Sequence, residues 1–372
     1  MLFNVIPAVL ATAAGRFSLG DSQLGVVGSS FLAGFALVAV PSNLWISRFD
    51  WRATMGLGAA VGVAGLASCA AVPSYAGLLA ALVASGAGLG VLYTVCIAIV
   101  SEHHRPDRAF GVKLAVEVFL AVAVLVALTT FVSAHWGFPG VVLTLAGVVG
   151  AVVLAALRWI PAGRILRPPD QRFAMARRAG TSAPFLRDCA PWLGLSGLFV
   201  SFTGMAALWA FLARLAPTFG VDERAASDVL TVGLIVSGVA GLGAAFLGDR
   251  FGRVKPLAVG MILAIAGVAA LVLGHGLVAY ATGAVLAAGL WNFPMAYQMG
   301  MIASADGHGR VAVLMPAALA IGGAMGPVLA GALLGGGSGY GPLYALFAAA
   351  TAAGLAAFAV LGRRPIGSAV GR

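Results

Sequence analysis

Few residues in this chain of 372 could do acid–base or binding chemistry, and they fall in three places. In FGVKLAVEVF, Lys113 and Glu117 stand four residues apart in an otherwise apolar run, so on a helix they share a face. Glu117 follows Ala109 by eight residues, about 12 Å of helical rise. At that depth in a membrane an ionisable group is costly and by default a functional candidate. Burial favours its protonated form and Lys113 its carboxylate. A proton-coupling or substrate-charge site and a structural ion pair are both open readings.

The second place is GLWNFPMAYQMGM. Pro294 removes one helical hydrogen bond and frees a carbonyl, while Trp291, Asn292, Tyr297 and Gln298 offer aromatic and amide surface around it. Met295 and Met299 share a face and carry thioethers of the kind that suit Cu(I). No Cys or His joins them at close spacing, so flexible apolar filling is the better reading. The third place is LGDRFGRVKP, residues 247–256, with one acid and three bases between two uncharged segments. An Asp at a helix end that pairs with bases of the adjoining loop or a neighbouring helix makes a weak stabiliser but a good two-state latch. Plain anchoring of Arg250, Arg253 and Lys255 is the bland alternative.

No catalytic set emerges. His103 and His104 lie in a charged loop, and no phosphate-binding G-x-x-x-x-G-K-[ST] run is present. Cys69, Cys96 and Cys189 have neither metal-ligand nor pairing spacing. The expectation is a non-enzyme with no cofactor and no resident metal.

The elements that must position these residues are membrane helices. The chain is 61% hydrophobic and 9% charged, against about 25% charged in a soluble domain. Uncharged runs of ~20 residues recur along it, each able to cross ~30 Å of hydrocarbon. Lipid leaves only helices or a closed barrel, and continuous rather than alternating runs select helices. The 52 glycines suit close helix packing in lipid. Charge, Pro and Gly clusters punctuate the chain into helices near 2–14, 23–46, 53–72, 75–100, 109–133 and 138–159, then 190–216, 224–247, 255–273, 276–302, 310–334 and 341–361. Of the 22 Lys and Arg residues, 18 fall on one side of this arrangement and Arg16, Arg214 and Arg224 on the other, with Lys113 near a helix end. The positive-inside rule places the basic linker and the C-terminus in the cytoplasm. It also accounts for the net charge of +10 without nucleic acid.

The halves repeat. Phe17 matches Phe219, Arg48 matches Arg250 and Arg108 matches Arg310 in one ungapped register. Two parallel six-helix bundles are a standard transporter architecture. In that register helix one is too short to cross, pointing to an upstream start or a natural truncation.

AFLGDRFGRVK, beginning at Ala245, resembles the loop between helices eight and nine of the major facilitator superfamily (MFS), G-x-x-x-D-R-x-G-R-[RK]. Asp249, Arg250, Gly252 and Arg253 match, while Ala245 replaces the first Gly and Val254 the last base. The first-half copy, NLWISRFDWR, keeps only Arg48 and Arg52; Asn43, Ser47, Asp50 and Trp51 replace the rest. In AIGGAMGPVLAG, Gly322, Gly326 and Pro327 resemble the antiporter-associated G-x-x-x-G-P motif, here in helix eleven instead of the usual helix five. Their structural reading is a close helix contact and a kink.

The resemblance implies an all-α polytopic membrane protein with twelve transmembrane helices in two pseudo-symmetric bundles. The expected domains are residues 1–159, a cytoplasmic linker at 160–189, a second bundle at 190–362 and a tail at 363–372. In the superfamily helices one, four, seven and ten line the cavity, which adds Asn4, Tyr93 and Trp209 to the substrate candidates. The implied function is secondary active transport of a small organic solute, proton-coupled and leaning to efflux, by a monomer in a bacterial cytoplasmic (inner) membrane. An uptake transporter for a metabolite or for copper at Met295 and Met299, and a non-transporting sensor or scaffold, are the alternatives.

Overall fold

The computed structural model describes the backbone of residues 2–19, 21–160, 189–307, 309–334 and 339–363, without the side chains of 2–4, 6–8, 11, 21 and 22. Most of the expected linker and tail therefore lie outside the described residues. Among those described, regular structure is helical apart from one isolated bridge between Arg250 and Gly252. The first-half helices are α1 (Leu2–Phe17), α2 (Asp21–Ala39), α3 (Trp51–Ala71), α4 (Tyr75–Ser101), α5 (Pro106–Ala127) and α6 (Ser133–Ala156). The second half holds α7 (Cys189–Leu215), α8 (Glu223–Leu247), α9 (Val254–Leu273), α10 (Gly276–Ala305), α11 (Met315–Leu334) and α12 (Gly341–Arg363).

Local chemistry sets many of the boundaries. Asp50 caps α3 by accepting from Ala53 N–H at 2.9 Å, and Asp222 caps α8 by accepting from Ala225 N–H at 2.7 Å. Each satisfies one of the orphan donors of a helix start. Pro106 opens α5, where its missing N–H costs nothing. Between α5 and α6 the chain stays helical through a π turn at Leu128–Val132 and breaks at Gly137, whose φ of 52° and ψ of −148° suit only glycine.

Among the described residues, ten helical runs are long and apolar enough to cross a membrane. One of them, Pro106–Trp159, has 54 residues, and Gly137 divides it into two lengths that each suffice. Helix α1, with 16 residues, rises about 24 Å and falls short of the ~30 Å core. Large apolar side chains such as Leu154, Val278 and Phe246 are more than 70% exposed, as a surface solvated by lipid requires.

The chain forms two compact units, residues 1–99 with 120–168 and residues 100–119 with 169–372. The first has a core of Val5, Val27, Leu66, Leu78, Leu128 and Leu145. The second has a core of Leu208, Leu212, Val268, Tyr280 and Phe347. Residues 100–119 come from the first half of the sequence but pack with the second unit. Glycine explains how: a Cβ on Gly111 would lie 2.7 Å from both Ala245 N and Gly241 O, so α5 and α8 approach backbone to backbone.

Candidate functional site

At the start of α5, Asp107 is buried and accepts a hydrogen bond from Arg253 Nε at 2.8 Å; the two side chains are 4% and 21% exposed. Asp107 Oδ1 is buried with no hydrogen-bond partner among the described residues. Gly300 of α10 lies so close that a Cβ there would collide with that oxygen. Tyr297 donates to Gly248 O at 3.0 Å and so pins the loop that carries Arg253. Gly248 (φ 55°) and Gly252 (φ 73°) take conformations that favour glycine, and a Cβ on Gly248 would crowd the Arg108 guanidinium. The loop motif therefore reaches an acid outside itself. Asp249 is exposed, and Arg250 lies over the Phe246 ring at 5.2 Å. The sequence reading missed Asp107. An acid in the first turn of a helix, beside the repeated Arg108, was the available signal.

The first-half loop does something different. Arg52 donates to Ile160 O at 2.8 Å from Nη2 and 3.2 Å from Nε, and to Arg158 O at 3.3 Å. It thereby ties the start of α3 to the carbonyls of the short turn that follows α6. Asp50 caps α3, and Arg48 is exposed.

Lys113 Nζ donates to Glu117 Oε2 at 2.6 Å, with side chains 10% and 24% exposed. The pair lies on α5, as the four-residue spacing requires.

Helix α10 is interrupted. A π turn runs over Val285–Gly289, and the helix restarts at Asn292 with Pro294 in its first turn, where proline is tolerated. Such turns often mark functional sites. Beside the break is a recess of about 50 Å³ lined by Ser201, Phe202, Met205, Trp291, Met295 and Gln298, with Met261, Ala264, Ala287, Pro294, Phe347 and Thr351 completing it. Phe202 and Trp291 stack at 5.6 Å and 19°. Gln298 Nε2 donates to Ser201 Oγ at 3.2 Å and to Met261 Sδ at 3.7 Å.

Trp291 and Gln298 thus share one recess, while Asn292 and Tyr297 do not line it. Asn292 is 1% exposed, and its Nδ2 has no hydrogen-bond partner among the described residues. Met299 is fully buried outside the recess, where Met205 and Met261 accompany Met295 instead. Tyr93 belongs to the other unit, its ring 5.7 Å from Phe35. Trp209 is half-buried against the second core, and the Asn4 side chain lies outside the described residues. Gly322 and Gly326 press α11 onto α7: a Cβ on Gly326 would lie 2.5 Å from Thr203 O, and one on Gly322 3.0 Å from Thr203 Oγ1. Pro327 sits inside α11.

The sequence profile of the Major Facilitator Superfamily matches residues 1–192 and 194–370. The chain belongs to the major facilitator superfamily. Solved structures agree with that assignment in fold. A variant of the E. coli fucose:proton symporter FucP superposes with a TM-score of 0.73 at 16% identity, covering 97% of this chain and 96% of that one. FucP in an outward conformation gives 0.74 at 18% identity with the same coverage. The human organic anion transporter MFSD10 gives 0.69 at 16% identity, covering 96% of this chain and 89% of that one. No curated protein sequence gives a match. This superfamily member is therefore an integral membrane protein with the MFS transporter fold, and its second-half loop carries the better-preserved copy of the superfamily motif.

Proposed function

We propose that the chain is a secondary active transporter that moves a small organic solute by alternating access and couples the movement to protons. The observation that carries this reading is the interruption of α10 at Val285–Gly289 beside Trp291 and Gln298. Discontinuous membrane helices place polar backbone and side chains where transporters bind their cargo. The solute contacts proposed are Asn4, Tyr93, Trp209, Trp291, Asn292, Tyr297 and Gln298. The recess of about 50 Å³, which Trp291 and Gln298 line, is too small for a whole organic solute, so those two residues would meet only part of it.

Lys113 and Glu117 are the proposed coupling pair: protonation of Glu117 would remove the negative charge from a 2.6 Å contact and weaken its hold on the Lys113 ammonium. Arg253 and Asp107 are the proposed latch at the loop end, with Asp249, Arg250 and Gly252 shaping the loop. Arg48 and Arg52, the gating candidates of the first-half copy, take no part in that latch: Arg52 ties to the Arg158 and Ile160 carbonyls and Arg48 is exposed. Sparse intramembrane charge favours a weakly ionised or neutral amphipathic solute. The Gly322/Gly326/Pro327 segment supports export, from a bacterial cytoplasmic membrane with the C-terminus inside and the monomer as the working unit. Thermal unfolding of the purified chain against a panel of metabolites and drugs tests the reading, because a ligand that binds the folded state raises the midpoint. A shift from at least one solute, reduced in Trp291→Ala, is expected. A flat panel contradicts it.

A further inference from the structure

We infer that the recess inside the second unit is a binding site for a soft monovalent cation of the Cu(I)/Ag(I) type, held by the thioethers of Met205, Met261 and Met295. The argument starts from helix register. Gly194 of α7 packs against Ile302 of α10, Ser201 bonds Gln298, and Phe202 stacks on Trp291. Residue numbers rise on α7 as they fall on α10, so the two helices run antiparallel. Met205 stands four residues beyond Ser201, and Met295 three residues before Gln298. Each shares a helix face with its partner in the hydrogen bond, so the two thioethers occupy the same side of it. Met261 of α9 completes the set, its Sδ already within 3.7 Å of Gln298 Nε2.

The remaining lining fixes the class of ligand. Among the described residues it contains no carboxylate, imidazole, thiol or basic group. Hard divalent ions in protein sites draw on carboxylate oxygens, and zinc takes thiolate, imidazole or carboxylate. Neutral thioethers select soft ions such as Cu(I). A single positive charge also costs less to desolvate than a double one. Phe202 and Trp291 add aromatic surface to the lining, and Ser201 and Thr351 supply hydroxyl dipoles.

Size points the same way. A recess of about 50 Å³ holds roughly three waters or one ion, and less than the ~150 Å³ that accommodates benzene. The ligand set differs from the Met295/Met299 pair suggested by spacing along the sequence. Met299 is buried away from the recess, and two other helices provide the remaining sulfurs. Binding to this site is independent of the transport reading, so its test reads binding alone.

The test uses the full chain purified in detergent with Cys69, Cys96 and Cys189 replaced by Ala or Ser, which removes competing thiols. Titration with Ag(I) in chloride-free buffer, followed by Trp fluorescence and calorimetry, should give one ion per chain. Binding should weaken about tenfold for each of Met205→Leu, Met261→Leu and Met295→Leu, and vanish in the triple variant. Leu conserves volume closely enough to keep the fold. Met299→Leu should bind as the parent does, and Zn(II) should not bind. X-ray absorption of the Cu(I)-loaded parent gives a second reading that needs no methionine variant and should show sulfur neighbours. Absence of Ag(I) binding, binding undiminished in a folded triple variant, or a shell of nitrogen and oxygen alone would overturn the assignment.

Discussion

Arg253 Nε and Asp107 Oδ2 meet at 2.8 Å across 146 residues of sequence, tying the loop after α8 to the first turn of α5. The pair is nearly buried on the acid side and incompletely satisfied, since Asp107 Oδ1 has no hydrogen-bond partner among the described residues. Breaking it strands a charge, and releasing it lets both ions return to water. That combination suits a contact that must open and close more than one that only stabilises.

The first prediction concerns that pair. Asp107→Asn and Arg253→Gln should each destabilise the purified protein, and the double variant should lose less than the sum. A double-mutant cycle by thermal unfolding should give a coupling of about 1–3 kcal/mol, in the range of hydrogen bonds to charged groups. Asp249→Asn, at an exposed position, should show no coupling to Arg253.

Helix contact gives the second. Gly111→Ala places a methyl 2.7 Å from Ala245 N and Gly241 O, so α5 must move off α8. A loss of about 1–3 kcal/mol, typical of overpacking, and faster hydrogen exchange over residues 106–119 are expected. At Gly147 a Cβ would meet nothing within 4 Å. Gly147→Ala should change stability by less than about 1 kcal/mol.

Arg52→Ala removes donors from Ile160 O and Arg158 O. Part of the site is solvent-exposed, so the expected cost is only about 1–2 kcal/mol. The folded fraction should keep its ligand response. Arg48→Ala, at an exposed position, should cost nothing measurable in the same unfolding assay. The two arginines surviving in the first-half motif thus separate into a structural tie and a surface charge.

How much of this was legible in the sequence follows from which interactions are local. Continuous apolar runs announced the helices, whereas the caps at Asp50 and Asp222 came only with the structure. The four-residue spacing of Lys113 and Glu117 placed them on one helix face. The partner of Arg253 was not legible, because nothing local links residue 107 to residue 253; Asp249, adjacent in sequence, looked the better acid. The π turn in α10 was likewise hidden. Pro294 signalled an interruption, but the turn lies in Val285–Gly289, a stretch with no proline or charge. Met205 and Met261 escaped notice for the same reason, each being alone on its own helix.

Helix α5 supplies the fourth prediction. Glu117→Gln keeps the shape and most of the hydrogen bonding to Lys113 but cannot ionise. Solute binding should persist, measured by thermal shift, while transport loses its dependence on an imposed pH gradient. Unchanged dependence would remove Glu117 from the coupling role.

The central claim is that this member of the superfamily couples solute movement to protons. The full chain, reconstituted into vesicles with an imposed pH gradient and an internal pH dye, tests it most directly when challenged with the solutes that raise the unfolding midpoint. At least one of them should accelerate collapse of the gradient, and Glu117→Gln should abolish that acceleration. Solute movement without proton flux in the parent, or no solute-dependent flux of either kind, would contradict the account.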